Sequence, residues 1–323
     1  MDGKVIAIGH EDIKNMMEKN LYYVDKTLMI KELLDAPPKV TLFTRPRRFG
    51  KTLNLSMIRR FFEDERTEDG KKIDNRHVFE NLAITGCGET YLKHQQQYPV
   101  INLSLKSAKQ PNYKLAYSML KSEIAKEFGR HEYVLSESIL SESDCRQYQA
   151  IMERRDEDTL YANALEFLSE CLARYHQKNV IILIDEYDVP LENAYFEGFY
   201  DQMIAFIRSL FESALKTNPA LEFAVITGCL RISRESIFTG LNNLDIQSIL
   251  SPAFSSSFGF TEEEVGEMLH YYDLEDKLDE LKTWYDGYRF GEAEIYNPWS
   301  IINYVKTAII DHDAGSLLVQ HLL

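Results

Sequence analysis

Cysteine is scarce in this chain, and the few present show no pairing pattern. Cys87, Cys145, Cys171 and Cys229 form no C-x-x-C unit and no metal-ligand spacing. Neither a disulfide framework nor a zinc module is therefore expected, and the four suit packing as small apolar residues in a reducing compartment. The eight histidines are scattered in the same way. No apolar run approaches the roughly 20 residues of a membrane span, and no charged-then-apolar leader opens the chain. Basic residues are in deficit as well: 36 Lys and Arg stand against 51 Asp and Glu, a net charge of −15. So acidic a surface binds polyanions poorly, and nucleic-acid contact would need a local patch. A cytoplasmic, soluble protein without membrane contact is expected.

What the chain has is apolar content. At 323 residues and 45% hydrophobic it can bury a sizeable core, expected as one large domain with a smaller appendage. The stretch Val40-Thr41-Leu42-Phe43-Thr44-Arg45-Pro46-Arg47-Arg48-Phe49-Gly50-Lys51-Thr52 sets the organisation. A β-favouring run enters a short loop ending in Gly50-Lys51-Thr52, and Leu53 to Phe62 then spaces its apolar residues as a helix does. Strand, loop, Gly-Lys-Thr and helix form the setting of a phosphate-binding loop, whose backbone N–H groups and helix N-terminus cradle a polyphosphate. Lys51 is placed to reach the β- and γ-phosphates of ATP, and the Thr52 hydroxyl to ligate Mg²⁺. One position departs from G-x-x-x-x-G-K-[ST]: Arg45 stands where the first glycine belongs, and Pro46 stiffens the loop further. Arg45, Arg47 and Arg48 are expected to add positive charge near the phosphates, with Phe49 and Gly50 completing the cradle.

A second motif strengthens the first. Val180-Ile181-Ile182-Leu183-Ile184-Asp185-Glu186 is a continuous apolar run of the kind buried on both faces of a parallel sheet, and it ends in two carboxylates. This is the Walker B form: Asp185 in the Mg²⁺ shell, Glu186 polarising the attacking water. A core strand with an acidic end would look the same in isolation; downstream of a phosphate loop it becomes the lesser reading.

The rest alternates helical and strand patterns, which implies a parallel sheet flanked by helices. Helices are expected over residues 11–18, 26–34, 113–128, 143–153, 160–175 and 200–215. Strands are expected over residues 21–24 and 98–105. A loop is expected to join Pro190 to Tyr200. Leu221 to Gly228 reads as a further central strand, in which Thr227 is the candidate γ-phosphate sensor; a threonine at a strand end is the plainer alternative. Arg231, which follows at once, is the candidate charge-neutralising arginine, in cis or across a subunit interface of a homo-oligomer, against the plainer reading of a surface ion pair. Tyr23 could stack on a base, but burial is the favoured reading. A boundary falls near residue 257. Thr261 and Glu264 then form a capping box, residues 274–285 a second helix and residues 288–296 a short hairpin, and Pro298 opens a last helix. The aromatic residues around it, among them Trp284, Tyr288, Phe290 and Trp299, are read as the core of a small lid.

With these residues in place the chain resembles the AAA-ATPase-like family. The segments that carry the likeness are Tyr23-Val24-Asp25-Lys26-Thr27, Arg45 to Thr52, Leu183 to Asp188, Gly240-Leu241-Asn242-Asn243, Trp284 to Tyr288 and Tyr296 to Ser300. The family also carries arginine at the first glycine position of the loop. The resemblance implies an α/β P-loop NTPase of three layers and the additional-strand type, one strand lying between the P-loop and Walker B strands. It makes residues 1–257 an ATPase core and 258–323 a small helical subdomain with an aromatic hairpin. It also implies that such a domain often precedes a PD-(D/E)XK-type nuclease domain, of which no carboxylate–lysine site is visible here; the chain is either a truncated piece or ends there naturally. The expected activity is ATP hydrolysis that drives or gates a C-terminal or partner effector of nuclease type. The alternative is a nucleotide-dependent switch with little or no hydrolysis.

Overall fold

The computed structural model describes residues 3–6, 8–35, 38–136, 138–155, 158–229, 237–238, 243–285 and 287–310. Five strands, β1 (Val40–Thr44), β2 (Val100–Ser104), β3 (Val180–Asp185), β4 (Leu221–Gly228) and β5 (Leu244–Gln247), form one sheet in the order β2-β3-β4-β1-β5. Every pairing is parallel. Parallel pairing needs a crossover for each return, and the helices that supply the crossovers cover both faces. This is why β1 and β3 are buried at every position.

Alternate residues of a strand serve opposite faces. Leu42, Ile182, Ile184, Ala224 and Ile226 pack with the helices Tyr113–Arg130, Ala164–His176 and Tyr200–Leu215 in one apolar cluster. Phe43, Ile181, Leu183, Phe223 and Val225 face the other way, toward the helices Leu28–Asp35 and Lys51–Phe62. A third cluster joins Val265, Met268 and Leu269 to Ile301, Tyr304 and Val305. It lies between the helices Glu262–Tyr271 and Pro298–Ile310. The hairpin of β6 (Tyr288–Phe290) and β7 (Ala293–Ile295) instead sends Phe290 and Ile295 into the second cluster and leaves Tyr288 exposed, so these aromatic residues are not the core of a separate lid as expected. The Thr261 capping box forms as the sequence indicates. Among the described residues, no helix is long and apolar enough to cross a membrane.

Several local expectations need correction. The helix expected over 160–175 is two, Asp158–Ala162 and Ala164–His176, broken at Asn163, a residue type that favours caps and turns over helix interiors. The loop expected after Pro190 is a helix, Val189–Glu197, with proline in its first turn and left-handed Gly198 closing it. The strand expected at 21–24 is only a bridge between Leu21 and Val5. The helix expected over 274–285 is a short 3₁₀ turn followed by Leu278–Trp284.

Candidate functional site

The site forms where the carboxyl ends of β1, β3 and β4 lie side by side, the crevice at which parallel α/β sheets hold ligands. β4 separates β1 from β3, so the Lys51 loop and the Asp185 strand end meet across it. Leaving β1, the chain turns through residues 45–50. Arg48 and Gly50 both adopt left-handed backbone, with φ of 71° and 79°. Gly50 caps the helix Lys51–Phe62, and the space a Cβ would fill there is open.

Three side chains interlock at the centre. Asp185 accepts hydrogen bonds on both oxygens, from the Thr52 hydroxyl at 2.7 Å on Oδ2 and from the Thr227 hydroxyl on Oδ1. Lys51 is folded onto its own loop, its Nζ donating to the carbonyls of Arg45 at 3.0 Å and Pro46 at 2.8 Å and lying 3.3 Å from the Cys229 sulfur. Glu186 stands next to Asp185 in a left-handed conformation with φ of 55°, costly for a non-glycine residue and frequent at functional sites. Burial raises its pKa, and the adjacent Asp185 charge raises it further. The turn behind it is fixed by Asp188, whose Oδ2 accepts from the Cys229 backbone N–H at 2.8 Å.

The loop's other side chains diverge. Arg47 is exposed and reaches Glu192 at 3.1 Å. Arg48 lies over the Trp299 ring, 4.1 Å from its centroid. Phe49 is buried and packs edge-on against Tyr288. Arg45 corrects an expectation. Its guanidinium does not face the loop's mouth but is fully buried, donating to the carbonyls of Gln247, Thr44 and Phe254. Of the basic residues of this loop, Arg47, Arg48 and Lys51 line the cleft over it. Tyr23 packs at the edge of the second core cluster. Arg231 and residues 240–242 lie outside the described residues.

A cleft of about 400 Å³ opens over the loop, lined by Arg47, Arg48, Lys51, Thr52 and Glu186 together with Met16, Leu53, Pro298, Trp299 and Ile302. A polar cavity of about 220 Å³ adjoins Thr52 and Asp185 and is lined also by Asn102, Ser104, Lys106 and Arg59. Asn102 and Ser104 belong to β2, beside the Asp185 strand. Their signal in the sequence was polarity near the carboxyl end of a strand, which an edge position explains equally well. Pro298 and Trp299 stand in the Tyr296 to Ser300 segment that carries the family likeness, but the proline signals a helix start and nothing local in the segment points to the cleft.

The donor set fits the group the motifs imply. Hydroxyl and carboxylate oxygens at Thr52 and Asp185 are hard ligands of the kind Mg²⁺ takes alongside phosphate and water. The left-handed Gly50 and the helix behind it leave backbone N–H groups available to an anion.

A family model described as predicted AAA-ATPase matches residues 7–238. A protein of Azotobacter chroococcum mcd 1, described as "Uncharacterized protein in vnfD 5'region", is 26% identical over 312 residues. That match covers 94% of this chain and 52% of the relative, so the chain spans about half the length of the curated relative it matches.

Proposed function

This chain belongs to the AAA-ATPase-like family, and from that premise we propose that it binds ATP with Mg²⁺ and hydrolyses the terminal phosphoanhydride. The observation that carries the reading is Asp185 bridged between Thr52 and Thr227, with the Lys51 amine at the adjoining loop. The strand order, with β4 between the P-loop and Asp185 strands, supports the additional-strand type. Residues 1–257 then act as the ATPase core and 258–323 as a lid, through which the cycle drives or gates a C-terminal or partner effector.

Bound Mg²⁺ would supply positive charge at the phosphate oxygens. Lys51 exchanges its loop carbonyls for phosphate oxygens, a stronger partner because the acceptor is ionised. Thr52 and Asp185 would hold the metal. Glu186 orients the attacking water and takes up its proton, and its raised pKa brings it nearer to that task. Thr227 keeps the Asp185 carboxylate in orientation and senses the γ-phosphate. Met16, Leu53, Pro298 and Ile302 give the base and ribose an apolar wall.

The test is direct nucleotide binding and steady-state hydrolysis with Mg²⁺, for wild type, Lys51→Ala and Glu186→Gln. Lys51→Ala should lose binding, and Glu186→Gln should bind while losing turnover by at least a hundredfold. Normal binding by Lys51→Ala would sink the assignment. A second reading, a switch that binds ATP with little turnover, draws on the anchoring of Arg45 and Phe49 in the core, which restricts the loop. Binding without turnover in the wild-type chain would select it.

A further inference from the structure

We propose that Arg45 is a positioning residue that clamps the phosphate loop to the β6–β7 hairpin, so that the state of the nucleotide site passes to the C-terminal segment. The inference rests on the nucleotide-binding reading above.

Arg45 is an unusual buried cation. Its side chain is wholly buried, and among the described residues no carboxylate pairs with it. In place of an anion it has three backbone carbonyls: Gln247 at 2.7 Å, Thr44 at 3.2 Å and Phe254 at 3.3 Å. Two aromatic rings complete the cage, Phe258 with its centroid at 5.2 Å and Phe290 at 5.1 Å. Among the described residues its Nε has no partner. Burial pulls its pKa down to about 10, which leaves it charged at neutral pH. A buried charge compensated only by carbonyls and ring faces costs the folded state free energy, and apolar packing would fill the same space without that cost. What these contacts do is join three elements: the end of β1, the end of β5 and the segment leading to the hairpin.

The far end of the loop grips the same hairpin. Phe49 lies 5.2 Å from Phe290 and 4.9 Å from Tyr288, centroid to centroid, and its carbonyl accepts from Gly259 N–H at 3.3 Å. Gly259 permits this approach. Its φ is +82°, and a Cβ there would stand 2.9 Å from the Phe49 ring and 2.3 Å from Ile295. Phe290 is thus held by the residue that enters the loop and by the one that leaves it. Lys51 donates to the Arg45 carbonyl, so the residue that meets phosphate is one hydrogen bond from the clamp. Drawing Lys51 toward phosphate releases that carbonyl and changes the load on the clamp.

The experiment is ATP binding together with amide hydrogen exchange over residues 288–296, with and without ATP–Mg²⁺, on the whole chain. In the wild type ATP should alter exchange in the hairpin. Arg45→Met should weaken ATP binding at least tenfold and, at saturating ATP, abolish the hairpin response, and Arg45→Lys should restore part of both. If Arg45→Met does not fold, Phe290→Leu decides in its place, since it removes a ring from the cage, keeps an apolar side chain in the core and should uncouple the hairpin in the same way. An unresponsive hairpin in a wild-type chain that binds ATP normally overturns the inference alone. So does a fully responsive hairpin in the folded variant. Absence of ATP binding by the wild type overturns the underlying reading and this inference with it.

Discussion

Replacing Thr227 by valine removes one hydroxyl while keeping the β-branched shape that suits β4. Thr227 is buried, and its hydroxyl donates to Asp185 Oδ1 while Thr52 donates to Oδ2. Valine leaves one carboxylate oxygen without its donor and frees the carboxylate to rotate. A hydrogen bond to a charged group contributes about 1.5–3 kcal/mol. If Asp185 holds Mg²⁺ as proposed and that energy is expressed in the transition state, turnover should fall by roughly tenfold to a hundredfold, since about 1.4 kcal/mol is one decade. The assay is steady-state ATP hydrolysis with kcat and KM resolved, for Thr227→Val and Thr227→Ser. Valine should lower kcat with KM within about threefold of wild type, and serine, which keeps the hydroxyl, should recover most of the loss. Wild-type kcat in the valine variant would refute the reasoning. A loss that serine does not rescue would refute it equally, because packing and not the hydrogen bond would then be responsible.

Other consequences follow from the same geometry. Burial and the Asp185 charge raise the Glu186 pKa, so hydrolysis should fall with decreasing pH at a higher pH than an ordinary carboxylate would give. A pH–kcat profile checks this, and Glu186→Gln should remove that limb from whatever residual rate remains. Gly228→Ala would place a Cβ 2.4 Å from the Tyr187 ring and 2.9 Å from Asp188 Oδ1, so it should destabilise the fold by about 1–3 kcal/mol in denaturant melts and lower turnover by disturbing the Glu186 turn. Glu63 and Glu127 are buried against Arg130, and although burial raises their pKa values, the arginine charge outweighs it and both end lowered. Groups whose folded pKa is depressed contribute stability above their unfolded values and lose it as pH falls through the folded ones, so the melting temperature should drop below about pH 4. Glu63→Gln should weaken that dependence; an unchanged acid profile would show that the pair does not control it.

The sheet was legible because continuous burial leaves a plain mark. Val180 to Asp185 and Leu221 to Gly228 are apolar at almost every position, and both form where that pattern places them. The Gly50-Lys51-Thr52 and Asp185-Glu186 groups were legible for a different reason: each sits at the carboxyl end of such a strand, and parallel packing brings those ends together. The helix Val189–Glu197 was hidden by its own start signal. A proline in the first turn reads as a break unless the glycine closing the helix is read with it, and only Leu191 and Ala194 follow its buried face with Pro190. Asn102 and Ser104 were ambiguous because polarity near a strand's end looks the same at an exposed edge and at a site.

Arg45 is the instructive failure. Read locally, an arginine inside a phosphate loop belongs with Arg47 and Arg48 as charge for the phosphates. Its direction is decided by partners about two hundred residues away, the carbonyls of Gln247 and Phe254 and the ring of Phe290, which no local pattern reveals. The glycine usual at this position gives the loop freedom to wrap a phosphate. Arginine supplies a long side chain in its place, and the loop's shape is then held from outside by the segment and hairpin it grips. A loop shaped in that way depends on the C-terminal segment for its geometry. Deleting residues 258–323 should therefore impair ATP binding even though Lys51, Thr52 and Asp185 all remain, and undiminished binding by a folded truncated chain would show that the loop holds its shape alone.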